Sequence, residues 1–384
     1  MEMNNNKILM IDSLIGNDYS IFLCNELVKQ GIDVSLLLTE DRVINVKTNF
    51  NILRIMPSKD SKKSKIKKII AFPVYMIKII KLIFKNNYKI VHYQFFRYKS
   101  IETFFYVLLK LFPVKLFHTA HDVILVNEKK INMFYNKVIY KFSDAIIVHS
   151  EKNKQQLSDL YKICNKKIFV TPHGSFDYYR GSTTIDSNFY KTKFAVTKNQ
   201  LVLLFFGFIK EYKGLDLLLE AMHNIKNLNL ALIIAGRFES IEIKNNIMKQ
   251  IKNLPPNITI IKDFDFIDEE KIPIYFTIAD IVVLPYKRIS HSGVLHLAYS
   301  FSKPVLATNV GDFDESVENF KSGLLVEPNV DSIQTAIERI VSDDLDLRSM
   351  GLYANKLNSS KYSWTASAIK LKSAYEVILN RSLC

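Results

Sequence analysis

Short apolar runs alternate with longer segments of helical periodicity along the whole chain. In the first half the runs are KILMID (7–12), DVSLLL (33–38), KIVHYQ (89–94), VKLFHTA (114–120), AIIVHS (145–150) and KIFVTP (167–172). In the second half they are LVLLFFG (201–207), LALIIAG (230–236), ITIIKD (258–263), DIVVLPY (280–286), PVLATN (304–309) and GLLVEP (323–328). Strands spaced by helical patterns predict βαβ units and parallel sheets. Between the first two runs, SIFLCNELVKQG (20–31) is amphipathic and ends at Gly31 as a C-cap. GLDLLLEAMHNIK (214–226) holds the matching place in the second half. The fold class is therefore α/β, with two doubly wound domains over 1–178 and 179–384. GSFDYYRGSTTIDSNFYKTK (174–193) has few aliphatics and reads as linker and surface loop. SWTASAIKLKSAYEVILNR (363–381) is a final helix. Sheets of this kind bind ligands beyond the carboxyl ends of their strands, so two facing sheets would share a cleft.

The 384 residues suit two domains, and 48% hydrophobic with 23% charged residues excludes a disordered chain. Cys24, Cys164 and Cys384 are widely spaced, which points to a reduced, cytosolic chain without a structural metal. No signal peptide is visible. No stretch reaches the roughly 18 uninterrupted apolar residues of a spanning helix; the closest, 69–85, is broken by Pro73, Lys78 and Lys81.

Charge separates the halves. Residues 1–180 hold 29 Lys+Arg against 15 Asp+Glu, while the remainder is balanced. The first half should therefore face something anionic. Nine lysines lie between residues 61 and 89, interleaved with Ile, Phe, Met and Tyr. A basic amphipathic helix of that kind suits the headgroup region of an anionic leaflet, which predicts a peripheral position at the inner face of the cell membrane. No DNA- or RNA-binding motif accompanies the charge, so nucleic acid is not an expected partner.

GFIKEYKGLDLLLEA (207–221), LIIAG (232–236), IADIVVLPY (278–286), KPVLATNVG (303–311) and SGLLVEP (322–328) occur in an order that resembles the family 4 glycosyltransferases of the GT-B fold. The first half is similar more loosely, through TAHDV (119–123), DAIIVHSE (144–151) and VTPHG (170–174). The resemblance implies two Rossmann-like domains facing a cleft, with the final helix crossing back to the first. It also implies transfer of a sugar from a nucleotide diphosphate sugar to an acceptor, usually with retention and with no metal or other cofactor.

Departure of a nucleoside diphosphate builds negative charge on its β-phosphate, which fixed cations in a dry site stabilise. The resemblance assigns that work to Lys210 and Lys213, although the family more often has Arg where Phe208 stands. It also places two glutamates, separated by seven residues, at the positions of Ile289 and Leu297, so both acids are absent here. What remains is a helix start, where Ser292, Gly293 and Val294 can offer backbone N–H groups to an anion. An acid-free SGV form resembles that of some family branches. Leu297 cannot grip ribose as glutamate would, and this is the main departure from the family at the donor site.

In the first half the resemblance places His121 near the donor sugar and acceptor, with Asp122 orienting it or accepting a proton. Gly16 and Asn17 replace the family's double glycine in the first loop, beside the diphosphate. His173 takes the position of a common Asn, near the phosphates. His118 lies inside its strand and should pack. DFDFID (263–268) imitates a metal-binding Asp-x-Asp but reads as a loop near the base. The expected acceptor is a lipid-linked glycan of cell-surface polysaccharide synthesis. Two other readings stay open, a nucleotide-sugar epimerase and a non-catalytic protein that keeps the fold.

Overall fold

A computed structural model describes residues 6–14, 18–44, 46–56, 65–97, 99–123, 130–181, 185–198, 200–225, 229–342 and 345–380, with only the backbone for 65–72. The chain forms two compact units, Met1–Gly174 with Ser363–Cys384, and Ser175–Tyr362.

The first unit is built on β1 (Lys7–Asp12), β2 (Val34–Thr39), β3 (Asn51–Met56), β4 (Tyr88–Phe95), β5 (Lys115–Thr119), β6 (Ala145–Val148) and β7 (Ile168–Val170). They form one parallel sheet in the order β3-β2-β1-β4-β5-β6-β7. The winding reverses between β1 and β4, the place where such sheets open toward ligands. β3 was not among the expected strands. Asn51 and Arg54 interrupt its apolar run, and it lies at the sheet edge, half exposed, where little hydrophobic signal is needed.

Alternate residues of β1 feed opposite faces. Ile8 and Met10 pack with the Tyr19–Lys29 helix and the Trp364–Asn380 helix, while Leu9 and Ile11 pack with the Lys65–Lys85 and Lys130–Phe142 helices. The last helix is integral to this unit. Ser367 Oγ donates to the Pro172 carbonyl at 2.7 Å, and Lys372 Nζ donates to the Gln30 carbonyl at 2.8 Å. Trp364 stacks on Phe22 at 5.7 Å. Tyr375 is fully buried, with its hydroxyl 2.7 Å from His92 Nδ1.

Asp12 closes β1 and is almost fully buried, accepting from Ser20 Oγ at 2.7 Å and Leu14 N–H at 3.0 Å. Burial outweighs these bonds and pushes its pKa up to about 6. The folded state thus keeps a proton that the unfolded chain releases, and stability falls as pH rises from about 4 to about 6. Asp12→Asn keeps one oxygen to accept from Leu14 N–H, turns the other contact round so that its amide donates to Ser20 Oγ, and removes the charge. It should raise the melting temperature at pH 8, by up to about 3 kcal/mol of stability, and give no gain at pH 4. Equal melting shifts at both pH values would exclude carboxylate ionisation as the cause.

The second unit repeats the plan with β8 (Leu201–Phe206), β9 (Leu230–Ala235), β10 (Ile258–Asp263), β11 (Ile281–Leu284), β12 (Val305–Thr308) and β13 (Gly323–Val326), ordered β10-β9-β8-β11-β12-β13 and all parallel. β9 is buried at every position, as expected for a strand covered on both faces. The segment expected as linker contains the Ser187–Lys193 helix. Asp186 caps it by accepting from Phe189 N–H at 3.1 Å, and Tyr190 and Phe194 dock it against the unit's core. Low aliphatic content had concealed an aromatic packing face.

Among the described residues no helix is long and apolar enough to cross a membrane. The Lys65–Lys85 helix buries Met76, Ile79 and Ile83 and exposes Val74, Ile77 and Phe84 alongside Lys78, Lys81 and Lys85. Pro73 sits within it.

Candidate active site

In the second unit the winding reverses between β8 and β11, and the loops after these two strands are tied together. Lys287 N–H donates to the Tyr212 carbonyl at 2.8 Å. Gly207 leaves β8 at φ +99° and Lys213 ends a short 3-10 turn, Glu211–Lys213. A Cβ on Gly207 would lie 3.0 Å from Lys213 Nζ and 3.6 Å from Val294 Cγ2. The lysine ammonium and the first turn of the Gly293–Ser300 helix therefore converge over one glycine.

Lys213 is only 8% exposed, with Nζ 5.6 Å from the centre of the Tyr286 ring. Among the described residues no carboxylate lies in ion-pair range of it. Lys210, by contrast, pairs with Glu239 at 3.3 Å. Burial, and secondarily Lys210, lowers the Lys213 pKa to about 8. A buried cation without an acid is costly for the fold and favourable for an incoming anion.

The helix start adds to the positive potential. Ser292 occupies the N-cap position, but its side chain makes no capping bond and lies 3.5 Å from Tyr286 OH instead. The first-turn N–H groups thus receive no capping acceptor from Ser292. Phe176 covers Gly293, where a Cβ would meet its ring at 3.3 Å. Leu297 is 5% exposed and belongs to the apolar core.

Two features of this site escaped sequence reasoning. Arg237, just past β9, holds its guanidinium 5.3 Å from the centre of the Phe208 ring, and Lys210 Nζ lies 5.2 Å from the same ring. A cation thus reaches the Phe208 position from the neighbouring strand, and Arg237's place after Gly236, at a strand end, was its signal. His291 Nδ1 lies 2.7 Å from Asp312 Oδ2, both nearly buried. The first acid of DFDFID, Asp263, already accepts from Tyr275 OH at 2.6 Å and Lys271 Nζ at 3.0 Å. Among the described residues no group of three His, Cys, Asp or Glu side chains is placed to hold a metal.

In the first unit, β5, β6 and β7 are successive neighbours, and each is followed by a histidine at its carboxyl end: His121, His149 and His173. The Tyr19 ring contacts all three, at 4.7, 5.8 and 5.0 Å between centroids. His121 stacks flat on Phe95 at 4.2 Å. Its Nε2 lies 3.1 Å from Gln94 Oε1 and its Nδ1 lies 3.2 Å from His149 Nε2. His149, not foreseen from sequence, is 5% exposed, and its Nδ1 is 3.1 Å from the Thr171 carbonyl. His173 is half-buried beside Tyr19, and Asp122 is exposed. Gly16 and Asn17 lie outside the described residues. His118 packs inside β5 with Nδ1 3.1 Å from the Tyr93 carbonyl, and burial lowers its pKa to about 3.

Comparison with known proteins agrees with this architecture. Residues 19–175 match the Glycosyltransferase Family 4 model and residues 186–357 match Glycosyl transferases group 1. A D-inositol 3-phosphate glycosyltransferase of Corynebacterium jeikeium is 27% identical, over 76% of this chain and 72% of that protein. Sucrose-phosphate synthase from Thermosynechococcus elongatus superposes with a TM-score of 0.75 at 19% identity, covering 98% of this chain and all of the other. Anabaena HepE in complex with UDP superposes at 0.73 and 15% identity, covering 97% of this chain and 100% of the other. With both domain models matched in order on two parallel-sheet units, the chain belongs to the GT-B glycosyltransferases, as a family 4 domain followed by a group 1 domain.

Proposed function

We propose that this glycosyltransferase takes a sugar from a nucleotide diphosphate sugar and passes it, with retention and without a metal, to a lipid-linked glycan acceptor at the inner membrane face during cell-surface polysaccharide synthesis. The observation that carries the donor reading is Lys213, a buried ammonium with no carboxylate partner among the described residues, set beside an N-terminal helix turn. Negative charge that develops on a departing diphosphate is stabilised most by a cation already desolvated and fixed. Arg237, after the neighbouring strand, supplies further positive charge beside Phe208. The UDP held by the Anabaena neighbour supports the same ligand class.

Nucleoside diphosphates tested across the bases should raise the melting temperature, and more at pH 7 than at pH 9. Below about pH 8 Lys213 is charged before binding; above it a proton must be taken up first. No shift with any base would remove the donor reading, and equal shifts at both pH values would remove Lys213 from it. Binding with epimerisation but no transfer would favour an epimerase, and absence of all binding a non-catalytic role.

The membrane reading rests on the mixed lysine and apolar face of the Lys65–Lys85 helix. The protein should float with anionic vesicles and be released by salt, since lysine attraction to lipid is screened while apolar insertion is not. Failure to float, or flotation indifferent to salt, would exclude an electrostatic anchor.

A further inference from the structure

We propose that His121 and His149 share one proton and together carry a single positive charge, with His149 as the positioning residue that sets the protonation of His121. An unbroken line of contacts fixes where the hydrogens lie. The Thr171 carbonyl can only accept, so His149 Nδ1, 3.1 Å away, carries a hydrogen. At the other end, the orientation of the Gln94 amide decides the matter. One end of that amide lies 3.6 Å from Met10 Sδ and 3.4 Å from His92 Nε2. A thioether only accepts, so this end is the NH2 group. The carbonyl end therefore faces His121 Nε2 at 3.1 Å, and that nitrogen also carries a hydrogen.

Between the rings, His121 Nδ1 and His149 Nε2 stand 3.2 Å apart, a separation that needs one hydrogen to be a bond. Both outer nitrogens and the inner bridge are then protonated. Two neutral imidazoles hold one fewer hydrogen than this, so the pair is a monocation.

The surroundings agree. His92 is neutral, since burial lowers its pKa to about 3. Its Nδ1–H can donate to Tyr375 OH at 2.7 Å, leaving Nε2 to accept from the Gln94 amide and from Thr119 Oγ1 at 2.8 Å. The flat Phe95 ring 4.2 Å from His121 is a suitable neighbour for an imidazolium. Among the described residues, titratable groups about the pair include Tyr19, held neutral by burial, His173, whose ring is 5.1 Å from that of His149, and Asp122, next in sequence.

The consequence concerns the role of His121. Both its ring nitrogens are engaged within the first unit, so it offers no bare nitrogen to remove a proton. It provides a fixed positive charge instead, suited to a phosphoryl oxygen. That kinetic consequence rests on the transferase reading; the proton count does not.

The test is nitrogen NMR of the 15N-histidine-labelled full chain at pH 7, with His121 and His149 assigned by single substitution. Between them the two rings should show three protonated nitrogens, the bridging hydrogen shared. Two fully bare nitrogens would overturn the proposal whatever reaction the protein performs. Gln94→Glu places a carboxylate on His121 Nε2–H and should hold the shared proton to higher pH; an unchanged titration would refute the contact between residue 94 and His121 on which the count rests. In transfer assays His149→Phe should lower kcat about tenfold or more with donor KM little changed. His149→Gln, whose carbonyl can accept from His121 Nδ1–H, should recover most of that loss. Equal losses in both variants would reduce His149 to a packing residue.

Discussion

Replacing Lys213 with methionine should stabilise the unliganded protein and abolish its response to nucleoside diphosphates. Methionine keeps the length of the lysine stem and its contact with Tyr286, but removes an ammonium that is 8% exposed and has no acid beside it among the described residues. The lowering of the Lys213 pKa from 10.5 to about 8, by burial first and Lys210 second, corresponds to about 3 kcal/mol against the charged form. Lysine deprotonates earlier in the folded than in the unfolded state, so wild-type stability rises with pH between about 8 and 10.5. The methionine variant should accordingly lead at pH 7, by about 1–3 kcal/mol in chemical denaturation, and lose that lead by pH 10.5. Transfer activity should fall by roughly 10²–10³, the usual cost of removing one preorganised group at a developing oxyanion. A variant that is less stable yet still binds nucleotide would show that Lys213 is a packing residue.

Gly214→Ala should be the most damaging single methyl group at this site. Gly214 sits at φ +68°, and a Cβ there would fall 1.8 Å from the Pro285 carbonyl oxygen and 2.9 Å from its carbon. Both obstacles are backbone, so no rotamer change relieves them. The loop holding Lys213 would have to part from the end of β11. Gly31 is the control, with φ +78° and nothing within 4 Å of its Cβ position. Gly31→Ala should cost only the left-handed backbone penalty, about 1–2 kcal/mol, and Gly214→Ala more than about 4 kcal/mol together with nucleotide binding. Urea unfolding of both variants measures the difference; equal losses would mean that conformation alone, not the approach to Pro285, requires glycine at 214.

Much of the fold was legible because buried parallel strands need uninterrupted apolar runs, and all but one of the strands declare themselves this way. β3 does not, since an edge strand with Asn51 and Arg54 buries too little to show a pattern. The helix at 187–193 was hidden because tyrosine and phenylalanine, not aliphatic residues, anchor it. At the site, the lysine loop was visible as a cationic turn between a strand and a helix. That Lys210 is paired and that Lys213, among the described residues, is not could not be seen, because Glu239 comes from a different strand's loop. The same reason hid Arg237 beside Phe208. His149 looked like the end of an ordinary strand, and only the adjacency of β5, β6 and β7 makes it a partner of His121. Residue spacing records which strand ends carry histidine; it does not record which strands are neighbours.

The place of the Trp364–Asn380 helix also has a consequence for biosynthesis. The second unit is one continuous stretch and can complete its core as it leaves the ribosome. The first unit, although made earlier, lacks the helix that covers Tyr19, Leu23, Leu27 and Phe117 until residues 364–380 emerge. Its apolar flank must wait through the synthesis of the whole second unit, exposed to aggregation and to chaperones. The half translated first is therefore the half finished last.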